Sequence, residues 1–224
     1  MSKPLELHPD RLFPPDPGTR SIAERLYALV ADKPIVSPHG HTDPRWFAEN
    51  KPFVNAADLL LTPDHYLFRM LFSQGISLSA LGVPRADGAT GLADARECWR
   101  TFAEHYYLFR GTPSRLWLDW VFVNVFGMAE QLDAESADRY FDGIEAALRQ
   151  PDFLPRSLFD RFNIEVLTTT ESPLDDLRHH AAIRDCEWQG RVITAYRPDP
   201  TVDPDFEGFR DNVERLGELT GENC

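Results

Sequence analysis

His39 and His41 stand two apart with only Gly40 between them, in a run that reads Pro-Ile-Val-Ser-Pro-His-Gly-His-Thr-Asp-Pro from Pro34 to Pro44. If the backbone is extended, side chains at i and i+2 share a face, and both imidazoles look into one space. Neutral imidazole is the commonest protein ligand for divalent transition metals. Glycine between the two permits close approach of a substrate, or unusual dihedrals. A bare His-x-His also occurs in polar surface loops. Position favours the ligand reading: Ile35-Val36 just before the pair predicts a short buried strand, and α/β folds place their chemistry at strand C-terminal ends.

The elements that must position such a site follow from the rest of the pattern. A Pro-rich arm, Pro9 to Pro17, precedes a helix expected from Ser21 to Ala31, with Ser21 as cap and Ile22, Leu26, Leu29 and Val30 as apolar stripe. After the first strand, about 120 residues read almost wholly as helix. The expected segments are Ala56–Leu61, Asp64–Gln74, Leu92–Phe109, Ser114–Phe126 and Ser136–Arg149, the last two beginning at capping serines, and a short helix around Ser157 to Phe162. A strand returns at Asn163–Leu167 and ends in Thr168-Thr169-Thr170-Glu171-Ser172-Pro173. A helix from Leu174 to Ile183 leads to a third strand, Arg191–Thr194, which runs on to Arg197-Pro198-Asp199, and a last helix covers Phe206 to Leu219. Strand, helix and strand in that order make the last two strands parallel neighbours.

The fold class is therefore α/β, with about three parallel strands, each ending in a polar cluster: His39/His41, the threonine run, and Arg197/Asp199. Polar clusters at successive strand ends are the layout of a (β/α)-barrel mouth, yet a closed barrel takes eight strands. The alternatives are a small open sheet or the N-terminal portion of something longer.

Bulk properties narrow the partners. With 42% apolar residues in 224, the chain can bury a sizeable core, and its formal net charge of -13 argues against nucleic acid or an anionic membrane surface as the main partner. An anionic ligand would need local arginines to reverse the field. Cys98, Cys186 and Cys224 are odd in number, far apart and in no metal-binding spacing, which favours a reducing compartment. The N-terminus lacks the apolar core of a signal peptide, and the most apolar region, Leu116 to Phe126, is interrupted by Asp119 and Asn124. A cytoplasmic location is expected.

Four blocks in order carry a family resemblance: the strand with His39-Gly40-His41; Leu61-Thr-Pro-Asp-His-Tyr-Leu-Phe-Arg69 followed by Gln74-Gly75-Ile76; Asn163 through Leu177 with His180; and Tyr196-Arg197-Pro198-Asp199. From Pro34 onward the chain resembles the N-terminal half of the uronate isomerases, of the amidohydrolase superfamily. The resemblance implies part of a (β/α)₈ TIM-type barrel with a large helical insertion at about 50–150 after the first strand, all within one domain whose C-terminal half is absent. It implies conversion of D-glucuronate to D-fructuronate, and of D-galacturonate to D-tagaturonate, by proton transfer through an enediolate. His39 and His41 match the family's metal pair, for Zn²⁺ or else Mn²⁺, with an aspartate beyond Cys224 completing the site. His65 and Tyr66 match a His-Tyr pair at the start of a helix, which with Arg69 would recognise substrate, Tyr66 also donating a proton. Arg197 would clamp the sugar carboxylate. The partner is then a hexuronate, and the full-length form a homo-oligomer.

Each assignment has a plainer competitor. Spacing alone packs Tyr66 in the core beside Met70 and leaves His65 on polar surface, while Arg197 could simply pair with Asp199. His179 and His180 fall on a helix away from the strand ends, as surface or satisfied core. His105, Tyr106, Tyr107, Trp117 and Trp120 read as packing residues, and Trp46 and Phe47 could wall a pocket. Where the family commonly has Thr-Thr-Asp-Asp-Pro, this chain has Thr169-Thr170-Glu171-Ser172-Pro173, and Glu171 receives no role. The competing functions are a metal-dependent amidohydrolase, in which the histidines serve to activate water, and a truncated, non-catalytic half-barrel.

Overall fold

A computed structural model describes residues 3–83 and 94–222. Its elements in chain order are α1 (Pro17–Ala28), β1 (Ile35–Ser37), α2 (Pro44–Glu49), α3 (Ala56–Leu60), α4 (His65–Ser73), α5 (Ala95–Glu104), α6 (Pro113–Asn124), α7 (Ala137–Leu148), α8 (Pro155–Arg161), β2 (Ile164–Glu171), α9 (Arg178–Asp185), β3 (Arg191–Tyr196), α10 (Asp199–Val202) and α11 (Phe209–Thr220). The chain divides into two compact units, one formed by the segment up to Tyr27 with Pro52–Phe153, the other by Ala28–Lys51 with the stretch from Leu154 onward.

The first unit is helical around an aromatic core. Trp99, Phe102, Tyr106, Phe109, Phe122 and Tyr140 are almost wholly buried, and their rings meet at edge-to-face or tilted angles, as between Phe122 and Tyr140 at 5.1 Å and 85°. The Trp99 indole N–H donates to the Ala137 carbonyl at 3.0 Å. A charged pair sits at the edge of this core: Asp119 accepts from the Tyr106 hydroxyl at 2.9 Å and from Arg115 at 2.7 Å. Burial is the main cause that pushes the Tyr106 phenol far above its ordinary pKa.

Several helix boundaries differ from the sequence expectation because other side chains satisfy the free amides at the ends. Asp16, not Ser21, takes the first turn of α1 through the Thr19 amide at 2.7 Å, and the stripe Ile22, Leu26, Leu29 and Val30 is exposed. Thr112 caps α6 one residue ahead of Pro113. Ser136 does not cap α7; its hydroxyl is turned to the Gln131 carbonyl at 2.9 Å. The expected helix from Leu92 starts outside the described residues, and its remainder breaks at His105 into α5 and a 3₁₀ turn, Tyr106–Phe109. Of the residues read as packing, Tyr106 is buried, whereas Tyr107, Trp117 and Trp120 are exposed.

The second unit carries the sheet, in the order β1-β2-β3 with both pairs parallel. β2 is central and longer than expected, because the threonine run continues the ladder: Thr169 pairs with Thr194 and Glu171 with Tyr196. β-branched threonine fits the pleated strand as well as it fits a turn. Leu167, Ile183 and Val192 bury one face with Phe47 and Phe159. Phe47 is thus a core residue of α2, stacked on Trp188 at 5.8 Å, rather than a pocket wall. β1 is not buried as expected: Ile35 and Val36 are about half exposed, at 49% and 58%. α9 begins at Arg178 rather than Leu174, because the side chains of Asp175 and Asp176 accept the amides of Leu177 and Arg178 and hold the preceding residues in turns.

Candidate active site at the strand ends

The backbone leaves β1 at Ser37 and turns through Gly40 directly over β2. A Cβ on Gly40 would lie 3.2 Å from the Thr168 carbonyl oxygen, so the glycine serves close approach to the protein's own backbone, not an unusual dihedral. With the turn held this close, His39 and His41 converge: their Nε2 atoms are 3.1 Å apart and their rings lie edge-to-face at 4.9 Å. Two nitrogens bound to a common Zn²⁺ at about 2.05 Å would be roughly 3.0–3.4 Å apart for angles of about 95–110°. The pair fits as two ligands of such an ion. Among the described residues no third histidine, cysteine, aspartate or glutamate joins them.

The end of β2 serves two faces. Thr170 points to the histidines, its Oγ1 3.2 Å from the Gly40 carbonyl oxygen and 3.2 Å from His41 Nδ1. Thr169 and Glu171 point the other way, toward α9, as alternation requires. The Glu171 carboxylate accepts from the Thr169 hydroxyl at 2.8 Å and from the Thr194 hydroxyl. His180 Nε2 lies 2.9 Å from Thr169 Oγ1 and 3.7 Å from the carboxylate. The carboxylate and the Ile193 carbonyl oxygen, 3.2 Å from Thr169 Oγ1, only accept, so Thr169 gives its proton to that side and receives one from His180 Nε2–H. His180 Nδ1 is buried without a hydrogen-bond partner.

This network corrects two sequence readings. His180 is not away from the strand ends; it reaches back from α9 onto β2, with its side chain only 11% exposed. Glu171, given no role, joins β2 to β3 through the Thr194 hydroxyl and takes the Thr169 hydroxyl within β2. The signal for both was present as Thr-Thr-Glu with a histidine on the following helix, but a strand ending at Leu167 concealed it.

Arg197 follows β3 and lines a concavity of about 330 Å³ with Thr170, Glu171, Ser172, Asp199, Pro200 and Phe206. Its guanidinium pairs with Asp199 at 3.8 Å, both side chains being half exposed or more. A contact this long and this wet is weak, so the guanidinium can take a carboxylate ligand. His39, His41, Thr170 and Arg197 are thereby brought to the same end of one sheet.

His65, Tyr66 and Arg69 belong to the helical unit, on α4. Asp64 caps this helix by accepting the Tyr66 amide at 2.8 Å and the Leu67 amide at 3.3 Å, and Leu67 and Leu71 are its buried stripe. Tyr66 does not pack in the core beside Met70: it is 62% exposed and lies against the His65 ring at 4.2 Å. His65 and Arg69 are also exposed, one turn apart.

Comparison with known proteins fits this layout. Residues 18–224 match the family model described as glucuronate isomerase. A uronate isomerase of Xanthomonas euvesicatoria pv. vesicatoria is 65% identical over 222 residues, which is 99% of this chain and 47% of that protein. One from Rhizorhabdus wittichii is 66% identical over 220 residues, 98% of this chain and 46% of that protein. The crystal structure of glucuronate isomerase from Caulobacter crescentus superposes with a TM-score of 0.92 at 61% identity, over 98% of this chain and 46% of that one. Uronate isomerase from Thermotoga maritima gives 0.83 at 28% identity, over 97% and 45%. The chain thus spans about half the length of the relatives it matches, and its three parallel strands are part of a TIM-type barrel. Among the described residues no helix is long and apolar enough to cross a membrane. By the extent of these matches, the chain belongs to the glucuronate isomerase family.

Proposed function

We propose that this chain supplies the N-terminal strand ends of an aldose-ketose isomerase acting on hexuronates, D-glucuronate and D-galacturonate. The observation that carries the reading is the convergence of His39 and His41 Nε2, 3.1 Å apart, at the end of a sheet that also presents Arg197. In the open-chain sugar, a base removes the proton from C2 and the electron pair moves onto the C1 carbonyl oxygen. The resulting enediolate is reprotonated at C1 as the C2 oxygen becomes the ketone. Substrate and product are isomers, so no redox partner is needed.

Each residue has a part in that sequence. Arg197 holds the far carboxylate through paired charge-assisted hydrogen bonds and so fixes C1 and C2 relative to the sheet. His39 and His41 would hold a divalent ion, Zn²⁺ or Mn²⁺, which when bound would polarise a carbonyl or hydroxyl oxygen. His65 and Arg69 recognise hydroxyl and carboxylate groups, and Tyr66, with its exposed hydroxyl, donates a proton to the sugar. The assembly is a homo-oligomer of cytoplasmic location.

The test compares the 224-residue chain with one extended to the relatives' length, each assayed for ketouronate formation from D-glucuronate. Activity is expected in the extended protein. There Arg197→Met should lower kcat/KM by roughly 30- to 150-fold, the equivalent of about 2–3 kcal/mol for a lost charged hydrogen-bonding pair. An unchanged kcat/KM would remove Arg197 from the carboxylate clamp, and a folded but inactive extended protein would overturn the isomerase reading.

A further inference from the structure

We propose that Thr170 is a positioning residue that sets the ring tautomer of His41, so that one of the two histidines is ready for a metal ion before it arrives. The argument is one of proton counting. Thr170 Oγ1 has a single proton and two close neighbours, the Gly40 carbonyl oxygen and His41 Nδ1, each at 3.2 Å. The carbonyl can only accept. Both contacts are therefore hydrogen bonds only if Thr170 donates to Gly40 and His41 Nδ1–H donates to Thr170. That leaves His41 Nε2 as a bare lone pair, aimed at the space it shares with His39.

His41 is thereby pre-set for ligation on the side where its Nε2 lies 3.1 Å from His39 Nε2. Thr170 acts at two points at once, since its bond to Gly40 also pins the turn that separates the histidines. Hydrogen bonds that fix the non-ligating nitrogen of a histidine typically change metal affinity about 10- to 100-fold.

This deepens the proposed function and rests on its reading of His39 and His41 as metal ligands, but the tautomer can be measured without a metal. In the metal-free 224-residue chain labelled with ¹⁵N-histidine, two-bond proton–nitrogen correlations identify which ring nitrogen is protonated. The expected result is His41 protonated at Nδ1, with Thr170→Ser unchanged and Thr170→Val giving a tautomer mixture at His41. His41 protonated at Nε2 in the unsubstituted chain, or the same tautomer in Thr170→Val, would overturn the assignment. If Thr170→Val does not fold, the unsubstituted chain and Thr170→Ser still decide it. Calorimetry with Zn²⁺ then separates the two levels. Affinity lowered about 10- to 100-fold in Thr170→Val, and held in Thr170→Ser, supports the positioning role, whereas equal affinity in all three refutes it. A chain with the expected tautomer that binds no Zn²⁺ would refute the metal reading while sustaining the tautomer assignment.

Discussion

Replacing Glu171 with alanine removes the acceptor on which the ends of β2 and β3 converge. The carboxylate takes hydroxyl hydrogen bonds from Thr169 and Thr194 with only 10% of its side chain exposed. Hydrogen bonds to a charged group contribute about 1.5–3 kcal/mol each, which sets an upper figure of about 3–6 kcal/mol for the pair. Part of that is recovered, because Thr169 can redirect its proton to the Ile193 carbonyl at 3.2 Å and Thr194 to the Ala195 carbonyl at 3.3 Å. A net local cost of about 2–4 kcal/mol for Glu171→Ala remains. Glu171→Gln keeps one acceptor oxygen and loses the charge, and should cost about 1 kcal/mol. Amide hydrogen exchange of β3 is the appropriate assay, since it reports local opening of the β2–β3 ladder separately from the helical unit. Only the Thr194 bond, about 1.5–3 kcal/mol, crosses between the strands, so exchange of the β3 amides should accelerate roughly 10- to 150-fold in Glu171→Ala and about 5-fold in Glu171→Gln. Equal acceleration in both, or none in either, would show that the carboxylate does not hold the strands together.

The core and the turn yield further expectations. Trp99→Ala should destabilise the helical unit by about 3–5 kcal/mol in urea unfolding, and Trp99→Phe should cost less but still leave the Ala137 carbonyl without its donor. Gly40→Ala should cost about 1–3 kcal/mol, because the added methyl meets a strand carbonyl that has little room to yield; an unchanged melting temperature would mean the turn is looser than its geometry. Asp138 titrates below its ordinary 3.8, chiefly because Arg100 donates hydrogen bonds to its carboxylate, with Arg96 adding to the effect. A pKa lowered by folding favours the folded state above about 3.8, and that contribution is lost as pH falls through the folded value. Asp138→Asn should therefore lower the melting temperature near neutral pH, and the difference should shrink below about pH 3.8; a gap that persists in acid would place its origin elsewhere.

What the sequence made legible were the features encoded by local pattern. Three short apolar runs marked the strands, a helix between the last two made them parallel, and Asp64 marked the start of α4 because an N-cap is read within three residues of itself. The features that stayed hidden depend on what lies across from a residue. Thr168–Thr170 have side chains equally suited to a turn, and only pairing with β3 shows that they continue β2. His180 sits on a helix, and nothing in its neighbours tells that its ring reaches Thr169. Tyr66 has an apolar ring that spacing assigns to the core, yet on α4 the buried stripe is Leu67 and Leu71 and the tyrosine falls outside it. The boundaries moved where short polar side chains captured backbone amides, as Asp175 and Asp176 do ahead of α9.

The alternation at the end of β2 has a consequence for how this segment can change. Thr170 lies in phase with the histidines and Glu171 in phase with α9, so one residue added or removed in β2 just ahead of Thr169 would exchange the two sets. A carboxylate would then turn to His41 and a hydroxyl to His180, and both networks would fail together. Substitutions here can be graded by chemistry, one side at a time; a change of length cannot.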